Sequence, residues 1–281
     1  MLFTSLPFLI LLGITLFLYY VPFLQRAQVL LLIAASFVFY AYSKPWLLLI
    51  LILSCTINAV SSYGIFRSTG WPARRAWAVL GVGVNLGLLL FFKYSRLLFE
   101  SFGGNTHELR GVGGFLLTIP LPIGISFFTF QGISLVVDTF RWKQKGSSIP
   151  FFPRNFWHHF YNTTFFKAFF PQLIAGPIVK AHQFLPQIGT KYLYRVRWDV
   201  AFRFLVTGYF LKMVVADNLK DQTFWILAPY FVTLSSVDLT TMLFGYSMQI
   251  FADFAGYSLI ALGLAELFGY HLPENFRFPY I

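Results

Sequence analysis

Charged side chains are scarce in this chain, since Asp, Glu, Lys and Arg together make up only 11% of its 281 residues. A soluble domain usually carries about 25% charged residues, so this composition argues against a water-soluble globular fold. Hydrophobic residues reach 57%, and apolar runs of roughly 17 to 25 residues, long enough to cross a bilayer, recur along the sequence. We therefore expect an all-α membrane protein with several spans. The long runs argue against a membrane β-barrel, which needs short segments of alternating hydrophobicity.

Cysteine is almost absent, because the chain has one, Cys55, inside an apolar run. An intrachain disulfide and a cysteine zinc cluster are therefore excluded, and we expect Cys55 to be a small packing residue. We expect no metal site. A glycine-rich phosphate loop and a Gly-x-Ser-x-Gly elbow are also missing, which removes the motifs of P-loop nucleotide binding and of α/β-hydrolases.

Basic residues outnumber acidic ones, giving a net charge of +11. In a soluble protein this excess would suggest a nucleic-acid partner. Here the basic residues cluster in short loops between apolar runs, which is the pattern of membrane orientation, so we expect no nucleic acid. Placing the loops 67–75 and 141–154 in the cytoplasm predicts an N-terminus on the opposite side. The segment from Met1 to Tyr20 has no basic n-region and is expected to be a retained first span.

The stretch 120–187 combines apolar residues with an unusual density of Gly, Pro and Gln. Each proline removes a backbone donor, and a bilayer tolerates this only where protein or a wet cavity satisfies the freed groups. Within 160–179, Pro171, Gly176 and Pro177 interrupt the apolar run, and basic loops flank it on both sides. We predict a multi-helix bundle with a re-entrant or broken segment around an internal polar cavity. A proline-kinked full span remains the alternative.

One polar stripe lies on the last long apolar run, where Tyr246, Gln249, Asp253 and Tyr257 fall on one helix face. An ionisable group within a span is costly and usually faces a bundle interior or a cavity. Asp253 has no basic residue within one turn on its own face, so it needs a partner from another segment, a raised pKa, or water. It is a candidate site-lining carboxylate, and the alternative is a buried structural acceptor.

A second stripe consists of Gln131, Ser134, Asp138 and Arg141, again at helical spacing. Asp138 and Arg141 are three residues apart near a span end, and we expect a structural ion pair there.

The histidines are expected in loops or at the membrane interface, with direct catalysis the less favoured role. They are His107, His158, His159, His182 and His271. Three cations, Lys167, Arg203 and Lys212, lie within apolar runs. They could meet an anionic donor such as a coenzyme A phosphate, although snorkelling to the interface is more common.

Several blocks of the chain resemble the membrane-bound O-acyltransferases, and most closely the alginate O-acetyltransferase branch. The first two blocks read Pro-Ile-Gly-Ile-Ser-Phe-Phe-Thr-Phe-Gln and Phe-Pro-Gln-Leu-Ile-Ala-Gly-Pro-Ile. In order, the blocks are 122–131 with Asp138 and Arg141, 170–178 with 184–187, 214–219, 253–258 with 263–265, and 272–280. They cover roughly residues 118–280. The resemblance implies one transmembrane domain, 1–281, incomplete at its C-terminus, with N-terminal spans in 1–117 and the acyltransferase core portion in 118–281.

This resemblance implies transfer of an acetyl group from acetyl-CoA or an acylated carrier, with no tightly bound cofactor, to hydroxyls of an exported polysaccharide. The family's catalytic histidine belongs to a Trp-His motif expected beyond residue 281, so we expect this span alone to be inactive. Asp253 would support catalysis. The residues expected to line the cavity are Gln131, Asp138, Arg141, Gln172, Gly176, Pro177, Gln249 and Tyr257.

The family setting also implies a multi-pass protein of the bacterial inner membrane, surrounded by lipid and assisted by periplasmic or extracellular O-acetylation proteins. Two departures from the alginate branch, Ala255 and Leu259, affect fine details of the substrate. Three alternatives remain open. One is a transporter or polysaccharide-export subunit, for which broken helices and charges at mid-membrane are also typical. The others are D-alanyl transfer to a cell-wall polymer and a degenerate, non-catalytic scaffold that recruits periplasmic partners.

Overall fold

The structure, a computed structural model, describes residues 1–101, 121–144, 152–153, 155–174 and 176–275, except the side chains of 95–100. In these ranges the chain forms helices and turns without any strand, which confirms the all-α prediction. Part of the predicted span 116–137 and the residues around His107 lie outside the described ranges. Four helical segments are long and apolar enough to cross a membrane: Pro22–Ala41, Leu47–Arg67, Trp71–Tyr94 and Ser236–Leu267.

The described helices are numbered here in chain order. They are α1 (Leu6–Tyr20), α2 (Gln28–Ala41), α3 (Leu47–Arg67), α4 (Trp71–Ser101), α5 (Ile125–Gln144), α6 (Phe156–Ala168), α7 (Phe170–Leu173), α8 (Ala181–Phe184), α9 (Trp198–Tyr209), α10 (Asp217–Thr223) and α11 (Ser236–Leu267). A π-helical segment, Phe210–Ala216, joins α9 to α10. Short 3-10 turns connect several of the others.

Helices α3, α4 and α5 pack together, with α3 and α5 parallel and α4 antiparallel to both. Small and amide side chains set their close approach. The Asn58 and Asn85 amides bond to each other at 2.9 and 3.1 Å. A Cβ atom on Gly132 of α5 would lie 2.5 Å from the Asn58 amide nitrogen. At the far end of the group, Arg74 donates to the Lys143 carbonyl at 3.3 Å, so the start of α4 meets the end of α5.

The predicted broken segment enters the bundle beside the C-terminal end of α3. Phe152 stacks on Phe66 with ring centroids 4.5 Å apart. Helix α6 then runs antiparallel to α3 and ends where Phe169 leaves the helical conformation at ψ 106°. Helix α7 begins one residue later with a proline in its first turn. The break fits the sequence, because a proline is tolerated in the first turn of a helix and not in its interior.

After α7 the chain turns back on itself. The carbonyl of Leu173 faces the start of α5, where Gly124 has φ +75° and a Cβ atom would lie 2.3 Å from that oxygen. Residues 176–180 are irregular, and in α8 the His182 ring returns to Asp138, near the C-terminal end of α5, at 3.0 Å. The segment therefore enters and leaves at the same end of the bundle. This is the predicted re-entrant hairpin, and a kinked single crossing does not describe it.

Helices α9 and α11 cross at very short range over glycines. A Cβ atom on Gly208 would lie 2.7 Å from the Ile260 backbone nitrogen, and one on Gly256 would lie 2.9 Å from the Gly208 carbonyl oxygen. Glycine allows such backbone contact between helices, as small residues do in membrane bundles generally. The crossing fixes how the side chains of α11 meet those of the π-helical segment that follows α9.

The apolar core joins the N-terminal helices to the end of α11. Phe8 and Phe39 pack on each other and on Phe170 of the re-entrant hairpin, and Phe170 packs edge-on against Phe268. The Tyr19 hydroxyl donates to the Phe268 carbonyl at 3.1 Å. The division of the chain at residue 117 stays a prediction.

Candidate functional site

Asp253 forms an ion pair with Lys212, which comes from a different helix. Lys212 Nζ lies 2.8 Å from Asp253 Oδ1 and donates to Asp217 Oδ1 at 2.6 Å. The contact between Lys212 and Asp253 is an ion pair. Lys212 belongs to the π-helical segment, whose wider winding is found frequently at functional sites. Of the alternatives left open for Asp253, the structure shows a partner from another segment; its role in a site stays a prediction.

Two other members of the Asp253 stripe contact the same region. Lys212 Nζ lies 5.4 Å from the centre of the Tyr257 ring, a cation–π distance. One turn before Asp253, Gln249 Oε1 accepts a hydrogen bond from Thr223 at 2.5 Å. The structure thus brings Asp253 and Tyr257 together around one ammonium group and places Gln249 on the adjacent turn. Tyr246, at the start of the stripe, is exposed.

The cluster of Lys212, Asp217, Asp253 and Tyr257 has more acceptors than its lysine can use. The Lys212 side chain is 15% exposed, whereas the Asp217 and Asp253 side chains are 47% and 46% exposed. Two carboxylates facing one ammonium give a formal charge of −1, and each carboxylate keeps free lone pairs for hydroxyl or amine donors. The arrangement can hold and orient a hydroxyl group beside a carboxylate.

The stripe on α5 is arranged differently from the prediction. Asp138 Oδ2 lies 3.0 Å from His182 Nδ1 and accepts a long hydrogen bond of 3.5 Å from Ser134, while Arg141 is exposed. The expected Asp138–Arg141 ion pair is therefore wrong, because the returning hairpin brings a histidine to the carboxylate. Gln131 is buried, and its Oε1 has no hydrogen-bond partner among the described residues.

The remaining predicted residues lie on the re-entrant hairpin. Gln172 is buried and donates to the Phe166 carbonyl at 2.6 Å, which satisfies part of the broken helix. Gly176 packs on this residue, since a Cβ atom there would lie 2.3 Å from the Gln172 Cα. Pro177 is buried beside it. These three residues support the turn of the hairpin; their role as cavity lining stays a prediction.

Two cationic or titratable residues that the sequence placed at the interface are buried instead. His159 is 1% exposed, and its Nε2 lies 2.7 Å from Ser62 Oγ. Lys167 is fully buried and bonds to Ser54, so the expectation that it snorkels is wrong. Their partners lie on α3, where Ser54, Asn58 and Ser62 recur at spacings of four residues. That polar face was the sequence signal that could have predicted both contacts.

Three polar groups converge where α11 ends. Glu266 is nearly buried and accepts from Arg197 Nε at 3.1 Å. His271 Nδ1 lies 2.9 Å from Glu266 Oε1 and 2.7 Å from Arg197 Nη2. The hydrogen bond to Glu266 raises the pKa of the Arg197 guanidinium. The Gln187 side-chain amide donates to the His271 carbonyl and accepts from the His271 backbone nitrogen, both at 2.8 Å, and so ties the hairpin's exit to this cluster.

A cavity of about 420 Å³ lies along the outer side of α9 and α11. Arg203 and Glu274 stand among otherwise mainly apolar side chains there, and Arg203 also pairs with Asp199 at 3.1 Å. Within the described residues no group of three His, Cys, Asp or Glu side chains is placed to hold a metal ion.

Comparison with known proteins finds similarity along the whole chain. A probable alginate O-acetylase of Pseudomonas putida is 32% identical over 292 residues, covering 100% of this chain and 56% of that protein. A peptidoglycan O-acetyltransferase of Helicobacter pylori is 32% identical over 270 residues, covering 89% and 50%. A teichoic acid D-alanyltransferase of Bacillus subtilis is 28% identical over 164 residues, covering 57% and 38%.

No family model matches the chain. The chain spans about half the length of the two O-acetylating relatives that it matches. The matched region includes the re-entrant hairpin and the Lys212–Asp253 cluster, because the first alignment covers the whole chain. Together with the long apolar helices, this similarity places the chain in the membrane-bound O-acyltransferase family.

Proposed function

We propose that the protein is a membrane-bound O-acyltransferase that transfers acetyl groups to hydroxyls of an exported polysaccharide. The observation that carries this proposal is the similarity of about one residue in three, over the full chain, to an alginate O-acetylase. The Lys212–Asp253 cluster supports it, because acyl transfer to a sugar hydroxyl needs hydrogen-bond acceptor oxygens that orient that hydroxyl. We propose the bacterial inner membrane as the location.

The residues of the cluster have separate roles in this proposal. Asp253 accepts a hydrogen bond from the acceptor hydroxyl and so orients the hydroxyl oxygen toward the acyl carbon. Lys212 holds Asp253 and Asp217 in place, because its ammonium group lies against both carboxylates. Tyr257 covers the ammonium with its ring. The general base that removes the hydroxyl proton is assigned by resemblance to the histidine of the family's Trp-His motif.

The donor is proposed to be acetyl-CoA or an acylated carrier that approaches from the cytoplasmic side. The cavity beside Arg203 runs along the α9–α11 crossing. Lys212 lies nine residues after Arg203 in the chain. At a rise of about 1.5 Å per residue this is a length of about 14 Å. A flexible thioester arm could extend along such a groove with an anionic group near Arg203. O-acetylation proteins outside the membrane are proposed partners.

Complementation of a deletion strain tests the function. The complete reading frame is expressed in a bacterium whose own polysaccharide O-acetylase has been deleted, and the exported polymer is treated with mild alkali. The proposal predicts that acetate is released from the polymer only when the reading frame is present. Mass spectrometry of the released acid identifies the transferred group. Polymer without any released acyl group would contradict the proposal.

The same measurement decides between the proposal and D-alanyl transfer. The similarity to a teichoic acid D-alanyltransferase is the observation that keeps this alternative open. Alanine in the alkaline extract, in place of acetate, would favour it. A protein that only transports the polymer would change the amount of polymer exported and would leave that polymer without ester-linked groups.

A further inference from the structure

Three exposed aromatic side chains form a group in the segment that joins α10 to α11. Phe224, Trp225 and Tyr230, here called the aromatic patch, contact one another with ring centroids 5.1 to 6.2 Å apart. Each of these residues is 41–50% exposed, so a large part of each ring is open to a ligand. An exposed aromatic group in a membrane protein contacts lipid, a partner or a substrate.

Helix α10 joins the aromatic patch to the Lys212–Asp253 cluster. Asp217, the first residue of α10, pairs with Lys212 at 2.6 Å. Thr223, the last residue of α10, directly precedes the patch and donates to Gln249 Oε1 at 2.5 Å. Gln249 lies one turn before Asp253 on α11. The patch and the cluster therefore lie at the two ends of a seven-residue helix, which is about 10 Å long.

The patch lies toward the end of the bundle opposite to the entrance of the re-entrant hairpin. His271, just after α11, is bonded to Gln187 at the hairpin's exit. Gln249 lies 18 residues before Leu267, the last residue of α11, which is about 27 Å along the helix. That length is close to the roughly 30 Å of a bilayer's hydrocarbon core. The basic loops predict that this end faces away from the cytoplasm, where an exported polymer passes.

The surface beside the patch suits contact with water. Asn218, Asp221 and Gln222 of α10 are all exposed, and an exposed carboxylate among lipid tails would be costly. Lipid tails therefore do not account for the open rings, whereas a belt of tyrosine and tryptophan at the level of the lipid headgroups would. The connection of the patch to Asp253 through α10 and Gln249 favours a substrate instead.

The patch has the chemistry of a sugar-binding surface. A pyranose ring has faces of C–H groups, which pack on aromatic rings, and edges of hydroxyl groups, which need hydrogen-bond partners. Trp225 and Tyr230 combine a large apolar ring with an N–H or O–H group. The three side chains carry no charge, so recognition by the patch does not require a charged polymer.

We propose that the aromatic patch binds sugar rings of the acceptor polysaccharide, so that a neighbouring sugar of the same chain presents its hydroxyl to Asp253. The inference rests on the proposed function, which supplies the acceptor, and adds the place where the polymer is held. The held sugar and the acetylated sugar are different residues of the polymer, because the patch and the cluster lie at opposite ends of α10. Acceptors of several sugars therefore bind more tightly than single sugars.

Oligosaccharide binding by the complete protein, without a donor, tests the patch directly. The protein in lipid nanodiscs is titrated calorimetrically with cellohexaose, which is neutral, and with an alginate hexasaccharide, which is anionic. We expect the wild type to bind at least one of them, and Trp225→Ala to bind it at least about fivefold more weakly, a loss of the order seen when one stacking ring is removed from a binding site. Phe17→Ala removes an exposed ring from α1 and should bind as the wild type does. Wild-type protein that binds neither hexasaccharide would overturn the proposal.

Acetylation of acceptors of different length separates a binding role from a structural one. With acetyl-CoA as the donor, Trp225→Ala and Tyr230→Ala should raise the KM for the hexasaccharide at least about fivefold and leave kcat near the wild-type value, because they remove binding that substrate and transition state share. Their KM for the matching monosaccharide should not change. Equal losses with the long and the short acceptor would show that the patch only supports the fold, and would overturn the proposal.

Other occupants of the patch give different results. If lipid headgroups or a protein partner cover it, Trp225→Ala leaves the affinity for both hexasaccharides unchanged, which overturns the proposal. If the complete protein binds a hexasaccharide through Trp225 but leaves the polymer without acyl groups, the sugar-binding role stands and the proposed function fails. If the polymer is acetylated while Trp225→Ala changes neither the affinity nor the KM, the proposed function stands and the sugar-binding role is overturned.

Discussion

At the scale of single residues, the important feature is a shared ammonium group. Lys212 meets two carboxylates, Asp217 at 2.6 Å and Asp253 at 2.8 Å. An ionisable group inside a membrane protein is costly and is usually retained where it lines a pathway or a site. The Lys212 ammonium group therefore gives both carboxylates a cationic partner beside apolar helices.

Replacing Lys212 with methionine should abolish most acyl transfer. The variant leaves two carboxylates facing each other without the ammonium group that holds them, so their mutual repulsion displaces Asp253. We expect polymer acetylation to fall at least about tenfold, equivalent to about 1.4 kcal/mol or more, and Lys212→Arg to retain more activity than Lys212→Met. Lys220→Gln, which removes an exposed cation from α10, is the matched control and should leave polymer acetylation near the wild-type level.

The glycine crossing gives a stability prediction. Gly208→Ala would place a methyl group 2.7 Å from a backbone nitrogen of α11, and overpacking of this kind typically costs about 1–3 kcal/mol. We expect a lower midpoint of thermal unfolding in detergent. Gly83→Ala is the matched control, because nothing lies within 4 Å of a Cβ atom there. Equal midpoints for the two variants would contradict the close crossing of α9 and α11.

Part of this residue-scale arrangement could be predicted from the sequence. The helical spacing of Asp253 and Tyr257 places both on one face, and the structure brings both to Lys212. The identity of the partner could not be predicted, because it depends on the π-helical winding of 210–216 and on the glycine crossing. His159 was misplaced for a related reason: its burial depends on a serine of α3 that is distant in sequence.

At the scale of secondary-structure elements, the re-entrant hairpin organises the molecule. Its prolines and its flanking basic loops predicted a break and a return to the same side. The exact path could not be predicted, because it is fixed by tertiary contacts such as Phe170 on Phe39 and Ser36 Oγ accepting from the Phe170 backbone nitrogen at 3.1 Å. The hydrogen bond to Ser36 satisfies a backbone group that the break leaves open, as a bilayer requires.

Cysteine labelling in intact cells tests the path of the hairpin. In a Cys55→Ala background, single cysteines replace His158, before the hairpin, and Gly189, after it; both positions are exposed. A membrane-impermeant thiol reagent should label both from the same side of the membrane. Ser43→Cys, in the loop between α2 and α3, should be labelled from the opposite side. Labelling of His158→Cys and Gly189→Cys from different sides would show a full crossing instead.

At the scale of the whole molecule, composition alone predicted the environment. Large apolar side chains such as Phe17, Phe23 and Phe244 are more than two-thirds exposed, which is costly in water and suits contact with lipid tails. Several buried polar residues pair between helices, as Asn58 does with Asn85. Composition could not predict these pairs, because the partners are set by which helices become neighbours.

The acetate content of exported polymer in cells carrying Asp253→Asn is the most direct test of the account. Asparagine keeps the size of the side chain and removes the charge that Lys212 holds. The account predicts at least a tenfold loss of polymer acetate, about 1.4 kcal/mol in barrier, with the protein still present in the membrane. Asp199→Asn, the same change at an exposed residue that pairs with Arg203, should leave the acetate unchanged. Wild-type acetate in the Asp253→Asn strain would contradict the assignment of the site.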